Sequence, residues 1–459
     1  MHRDRDRESP EALPSAAMLA HAGRVWLLVC SAVVLSACAS GPRAAVADAV
    51  AAGDTRAALA AYERVRADED PDPALLARVA GLVLEKEARS TDVARRDAAM
   101  GELVLAGTQG QPVLERIVAS RAPPLTRALA LAALATHGNA NAKDELRAFV
   151  DSDDAGLQAV ALVALDGRRD VADLLRFIES PHVEVRAASA RQLDSAGRSA
   201  RARTVLAEAS RVDPEARVRA AATRSLGAFG PAAVPALRER LSDPDQSVRL
   251  AAVSALVRAD REQALLALAP LLELEPSSAG IEAARVLARG APGAGERPGV
   301  VSARAFLRRG LESADARLRA QAAVALASFS GDPSLDEALV TALRAEHDAS
   351  TKLAIAGAIV GRRDAAEASR GALRELVTAG GTIGVQAASL LARTDDAGGA
   401  RALGRMIRSD DVAVRRIAVR AMARDAMRPD AVRRALRDRD AIVRIRAAGG
   451  ILAAVAAAD

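Results

Sequence analysis

The sequence predicts an all-α fold, an α-solenoid in which about twelve helical hairpins stack into a superhelix. Three observations lead there. Half of the 459 residues are hydrophobic, only 2% are aromatic and alanine is roughly a quarter of the chain, a balance that favours helices over strands. One pattern returns about every 32 residues over most of the length. Within each copy the apolar positions lie four and eight apart, the period of one helix face and not of a pleated strand. With 27% charged residues and a formal net charge of +5, the chain has a soluble surface and too much apolar content for wholesale disorder.

The first element is a leader. Arg24 precedes an apolar run, Val25 to Val34, and then Leu35, Ser36, Ala37 and Cys38. The stretch from Val25 to Cys38 is fourteen residues, short of the roughly 17–25 a spanning helix needs, so it reads as an export signal. Leu35-Ser36-Ala37-Cys38 resembles the lipobox of bacterial lipoproteins. The resemblance implies cleavage before Cys38 and diacylglyceration of its thiol, making Cys38 an acylated N-terminus. Residues 1–37 are then the signal peptide and 38–43 the tether. Met1 to Gly23 is long and acidic for a basic leader, with Asp4, Asp6, Glu8 and Glu11 against Arg3, Arg5 and Arg7. A start at Met18 gives a better one, and both starts stay open. Cys30 lies in the discarded segment and Cys38 carries lipid, so the exported chain keeps no free thiol for catalysis or a disulfide. Acyl chains of this kind hold a protein on a membrane surface. In enterobacterial lipoproteins an Asp after the cysteine favours the inner membrane; Ala39 and Ser40 here favour the outer membrane of a diderm host.

Residues 44–70, two Ala-rich segments around Gly53-Asp54 with Tyr62 in the second, resemble one tetratricopeptide-type hairpin. They read as an N-terminal cap. The repeats follow. Asp213 to Leu226 and Asp243 to Leu256 align without a gap, and with Val218 and Val248 as anchors the equivalent positions are Arg95, Thr126, Leu157, Val185, Ala279, Leu318, Thr351, Ile383, Val414 and Val443. Eight residues after each anchor stands Leu, Ile or Met, from Leu103 to Ile451. Four after stands Ala, except for Ser189 and Ile355. A small residue between two large ones lets neighbouring helices approach closely. One hairpin cannot cover such a stripe, so stacking has to supply the core. The residue after the anchor is basic in most copies, as in Arg186, Arg219, Arg249, Arg319, Lys352, Arg415 and Arg444.

This Asp-Pro, Val-Arg, Ala, Leu pattern resembles the HEAT-like repeat of the lyase-type subgroup. The resemblance implies that each turn is preceded by a first helix, such as Val234 to Leu241, and followed by a second helix lining the concave side. It also implies a ladder between turn Asp and helix Arg. Asp213, Asp243 and Asp438 stand five before their anchors, but Ser180, Ser313 and Ser409 hold that place elsewhere, so the expected ladder is incomplete. The array divides into residues 71–290 and 304–459, separated by a flexible insertion at 291–303 that includes Pro292, Gly293, Gly295, Pro298 and Gly299.

Chemistry-bearing constellations are sparse. His137, His182 and His347 sit in different repeats without metal-ligand spacing. HEAT-like di-iron hydroxylases use His-Glu pairs, whereas His182 precedes Val183 and His347 precedes Asp348. HEAT-like DNA glycosylases rely on Trp, and Trp26 leaves with the signal. All but three of the 64 basic residues are arginine, interleaved with acids, which argues against a nucleic-acid stripe. No enzyme activity and no cofactor are therefore expected. The expected role is a lipid-anchored, periplasm-facing scaffold that binds an envelope protein or peptide segment. An envelope enzyme or chromophore-lyase-like protein using the groove for catalysis is the alternative, and a structural spacer a third. Offsets two and six of the second helix should face the groove. They place Arg191, Arg224, Arg285, Arg416 and Arg420 there, over small residues such as Ala187, Ala220, Gly357 and Gly449.

Overall fold

The computed structural model describes residues 41–197, 199–289, 298–329, 333–394, 396–424 and 429–457. The signal peptide and lipobox, including Leu35, Ser36, Ala37 and Cys38, lie outside the described residues. Every regular element among the described residues is a helix. The chain forms two compact units, one ending at Val79 and the other running from Ala80.

In the first unit, α1 (Pro42–Ala51) and α2 (Thr55–Asp68) form a hairpin. Helix α1 begins inside the segment assigned to the tether. Gly53 turns the chain with φ 73°, a conformation that costs other residues a steric penalty. The Asp54 carboxylate then accepts the amides of Arg56 and Ala57, both at 2.9 Å, satisfying donors that a helix start leaves open. Val46, Leu59, Tyr62 and Val65 fill the interior of the hairpin.

Helix α3 (Pro73–Ala88) crosses into the second unit, where first and second helices then alternate. The order is α4 (Val93–Leu105), α5 (Gln111–Ala119), α6 (Pro124–Thr136), α7 (Ala140–Arg147), α8 (Ala155–Ala161), α9 (Val171–Phe177), α10 (Val183–Gln192), α11 (Ala200–Val212) and α12 (Ala216–Leu226). It continues through α13 (Val234–Arg240), α14 (Gln246–Ala259), α15 (Arg261–Leu268), α16 (Ser278–Arg289), α17 (Pro298–Leu311), α18 (Ala316–Ala327) and α19 (Pro333–Ala345). The last helices are α20 (Ala349–Ile359), α21 (Ala366–Ala379), α22 (Gly381–Ala392), α23 (Ala397–Met406), α24 (Val412–Arg424), a 3₁₀ stretch at Pro429–Arg437 and α25 (Ala441–Ala456). Helix α17 takes in residues 298–303, which the sequence assigned to the flexible insertion. Pro298 suits a first helical position, where its missing N–H is no loss.

Each anchor falls in or beside the first turn of a second helix, and the stripe behaves as its spacing requires. All twelve residues at offset eight are buried, from Leu103 to Ile451, and so are all twelve at offset four. Each large side chain so buried contributes about 1.5–3 kcal/mol. Ser189, an exception to alanine at offset four, donates its hydroxyl to the Leu174 carbonyl of α9 at 2.5 Å, so its burial leaves no orphaned group. Three residues before the anchor, Asp92, Asp154, Asp245, Asp315, Asp348 and Asp440 each accept an amide of the first turn.

The second helices pack in sequence, α4 on α6, α6 on α8 and so on to α24 on α25, and α25 then packs back on α4. The expected α-solenoid thus closes into a ring. Twelve axes at the usual 8–10 Å spacing give a perimeter of about 100–120 Å. Two glycines let α25 lie close to its neighbours, Gly449 against α4 at the seam and Gly450 against α24. A Cβ on Gly449 would lie 2.3 Å from Glu102 Oε2 and 2.7 Å from its Cβ, and one on Gly450 would meet the Cβ of Ala423 at 2.8 Å. Gly449 therefore closes the ring instead of flooring a groove. Replacing it with leucine should open the seam, read as a larger radius of gyration in small-angle scattering and a lower melting temperature. By contrast, Gly101→Ala on α4, where a Cβ meets nothing within 4 Å, should stabilise by about 0.5–1 kcal/mol in denaturant titration.

Candidate functional site

The arginines of the second helices fall into two sets. The first runs along the turns. Arg186 holds its own turn through Nη1, donating to the carbonyls of Ser180 and Pro181 at 3.0 and 3.1 Å, and grips the next turn through Nε to Asp213 at 2.8 Å. Arg219 repeats this with Asp213, Pro214 and Asp243. Arg319 does so with Ser313, Ala314 and Glu346, and Arg415 with Ser409, Asp410 and Asp438. A planar guanidinium can serve two turns at once because its donors are fixed in a fork. The turns at Ser180, Ser313 and Ser409 offer their carbonyls to their own arginine but no carboxylate to the repeat before, where Gln158, Gly280 and Gly384 stand in place of the arginine, so the ladder runs in segments, as expected. Glu346, which was not identified from the sequence, fills the carboxylate place in its repeat.

Arg444 of the last helix carries the ladder across the seam. Its Nη2 lies 2.5 Å from Glu87, which also receives Arg95 at 2.8 Å. Glu87 is 1% exposed and joins the first repeat to the last. Nearby, Glu102 faces Arg420 at 3.3 Å and Arg446 at 3.7 Å. Burial pushes the Glu102 carboxyl above its ordinary pKa, and the charges of Arg420, Arg446 and Arg424 offset this only in part.

The second set holds the five arginines expected to face the groove, and three of them are paired within the chain. Arg285 is paired with Glu282 one turn earlier on α16. Arg416 is held by Asp440, the cap of α25, at 2.7 and 3.0 Å. Arg420 is engaged at the seam. These three are neutralised by the protein itself because acids lie within a side chain's reach on the same or the next repeat. Ala187 and Ala220 are buried between helices, with Ala220 packed against Val248 and Ala251 of α14, and Gly357 lies against Leu390.

Arg191 on α10 and Arg224 on α12 differ. Both are exposed and neither has a carboxylate partner among the described residues. Arg217, one residue before its anchor and seven before Arg224, shares their face by helical period, a position the sequence reading passed over. Desolvation holds the Arg191 guanidinium below its ordinary pKa, and repulsion from Arg217 and Arg224 adds to the effect. Beyond this trio, Arg258 at the end of α14 reaches past α12 to pair with Asp194. Four inner helices further bound a hollow of about 410 Å³ lined by Leu250, Ile281, Val324 and Ala354 among others. Among the described residues no group of three or more His, Cys, Asp or Glu side chains is placed to hold a metal ion.

The ladder and the Arg416–Asp440 pair make the fold acid-sensitive. Burial works against ionised Asp243, yet the hydrogen bonds from Arg219 and the Asp245 amide hold its carboxyl below the usual range; Arg319 does the same for Glu346, and Arg416 for Asp440. Folded pKa values below the unfolded ones stabilise the protein at pH above about 4. That contribution is lost as pH falls through the folded values. The melting temperature should therefore hold between about pH 5 and 7 and fall below about pH 4. Asp243→Asn should lose about 1.5–3 kcal/mol at pH 7 and show a shallower acid decline, read by thermal melts across pH.

Residues 204–288 match the family model for HEAT repeats. No curated protein sequence matches the chain. Among solved structures, an engineered protein is similar over 78% of this chain and 97% of its own, with 22% identity and a TM-score of 0.31. The complex of CpcE and CpcF of phycocyanin lyase from Nostoc sp. PCC7120 is similar over 55% of this chain and 92% of that one, with 21% identity and a TM-score of 0.29. Yeast importin-beta (Kap95p) is similar over 83% and 66%, with 13% identity and a TM-score of 0.40. The second unit is an α-solenoid closed on itself, and residues 204–288 within it match HEAT repeats.

Proposed function

We propose that the chain is a bacterial lipoprotein, anchored through acylated Cys38, whose HEAT-like ring serves as a protein-interaction scaffold at the cell envelope. The observation that carries the location is the order of residues at the start: an apolar run of signal length, then Leu35-Ser36-Ala37-Cys38, then no further cysteine. Among the described residues no helix is long and apolar enough to cross a membrane, so any attachment by this part of the chain calls for another device, and a lipid supplies one. Ala39 and Ser40 favour the outer membrane of a diderm host. The scaffold role is supported by the form of the second unit, in which side chains from many repeats line one continuous inner face, as suits an elongated protein ligand.

Two measurements test this reading. Cells fed a labelled palmitate analogue should incorporate label into the wild-type chain and not into Cys38→Ser, and the variant should leave the membrane fraction. Label retained by Cys38→Ser would remove the anchor. Photocrosslinkers placed in turn on the inner face and on the outer helices should capture a specific envelope protein from at least one face. Capture from none would remove the scaffold reading.

A further inference from the structure

Resting on that scaffold reading, we propose that the inner face from α10 to α20 docks an acidic segment of a partner protein. Arg191, Arg217 and Arg224 receive its carboxylates, and the hollow beyond them receives an aliphatic side chain. The first ground is charge. Most arginines facing the interior are matched within the chain: Arg258 by Asp194, Arg285 by Glu282, Arg416 by Asp440 and Arg420 by Glu102. Arg191, Arg217 and Arg224 have no such match among the described residues, and they repel one another across two adjacent helices. An anionic ligand supplies the missing counter-charge, and a guanidinium pairs with a carboxylate through two parallel hydrogen bonds.

The second ground is the hollow on the same face. Leu250, Ile281, Val324 and Ala354 come from four successive second helices, α14, α16, α18 and α20, and Val324 is 52% exposed. Its centre lies two to three helix spacings from α12, about 16–30 Å. An extended peptide covers that distance in about 5–9 residues. The ligand is therefore a segment with acidic residues followed or preceded, at that separation, by a leucine or similar side chain. A single-stranded nucleic acid would want aromatic platforms for its bases. All five phenylalanines and Tyr62 are buried or half-buried among the described residues, with none exposed on this face.

The test uses the purified full chain and a fluorescein-labelled peptide of four glutamates, a six-residue Gly/Ser spacer and a Leu-Leu pair, followed by fluorescence anisotropy. Binding should saturate, weaken as salt is raised, and fall about tenfold or more in Arg217→Glu/Arg224→Glu. Val324→Asp should weaken it about threefold or more. A charge-matched pair on outer helices, Arg201→Glu/Arg261→Glu, should change it less than about twofold. The peptide with glutamine for glutamate should not bind. Equal loss in both double variants would reduce the effect to net charge and overturn the site, as would absent or unsaturable binding. Tighter binding of a single-stranded oligonucleotide through the same arginines would overturn the acidic-protein assignment. Outer-face crosslinks that persist while the peptide fails to bind would remove this site and leave the scaffold; loss of all crosslinks would remove the scaffold itself.

Discussion

A hairpin of about thirty residues cannot cover its own apolar stripe, and the rest of the second unit follows from that shortage. Each second helix buries its offset-four residue, alanine in all but two, and its offset-eight aliphatic side chain. An open array would leave two such faces without a partner, one at each end, and would need polar caps there. Packing α25 on α4 covers both faces at once. Gly449 gives the closeness this requires, since any side chain there would meet Glu102 of α4.

The arginine ladder adds direction to this packing. Apolar stripes fix how near two helices lie but tolerate sliding along their length. A guanidinium bonded to two carbonyls of its own turn and a carboxylate of the next fixes the relative height of consecutive repeats. The same bonding crosses the seam from Arg444 to Glu87. The ring therefore closes in register, with no repeat left to act as a terminus.

Much of this was legible in the sequence, because helical period and recurrence are local signals. The twelve anchors and the buried offsets could be read from spacing, and the resemblance to the HEAT-like repeat pointed to three of the ladder carboxylates. Closure could not: Glu87 and Arg444 are 357 residues apart, and nothing near either residue announces the other. The same limit governs the groove. Offset alone placed five arginines together, but whether each is free depends on acids from other repeats, such as Asp440 beside Arg416 and Glu102 beside Arg420. Arg217 was passed over because it precedes its anchor, though period seven to Arg224 marks the shared face. Glu346 is the same carboxylate chemistry on a longer stem than the Asp sought at that position.

Closure is the central claim, and an intramolecular distance tests it most directly. Thr108, just after α4, and Ala457, just after α25, are both exposed, and labels there report on the two sides of the seam. Pulsed dipolar spectroscopy on a doubly spin-labelled Thr108→Cys/Ala457→Cys chain, with Cys30 and Cys38 replaced by serine, should give one narrow distribution at about 15–25 Å, two helix widths or less. A broad distribution centred well beyond about 40 Å, as the ends of an open stack of twelve hairpins would give, would contradict the ring.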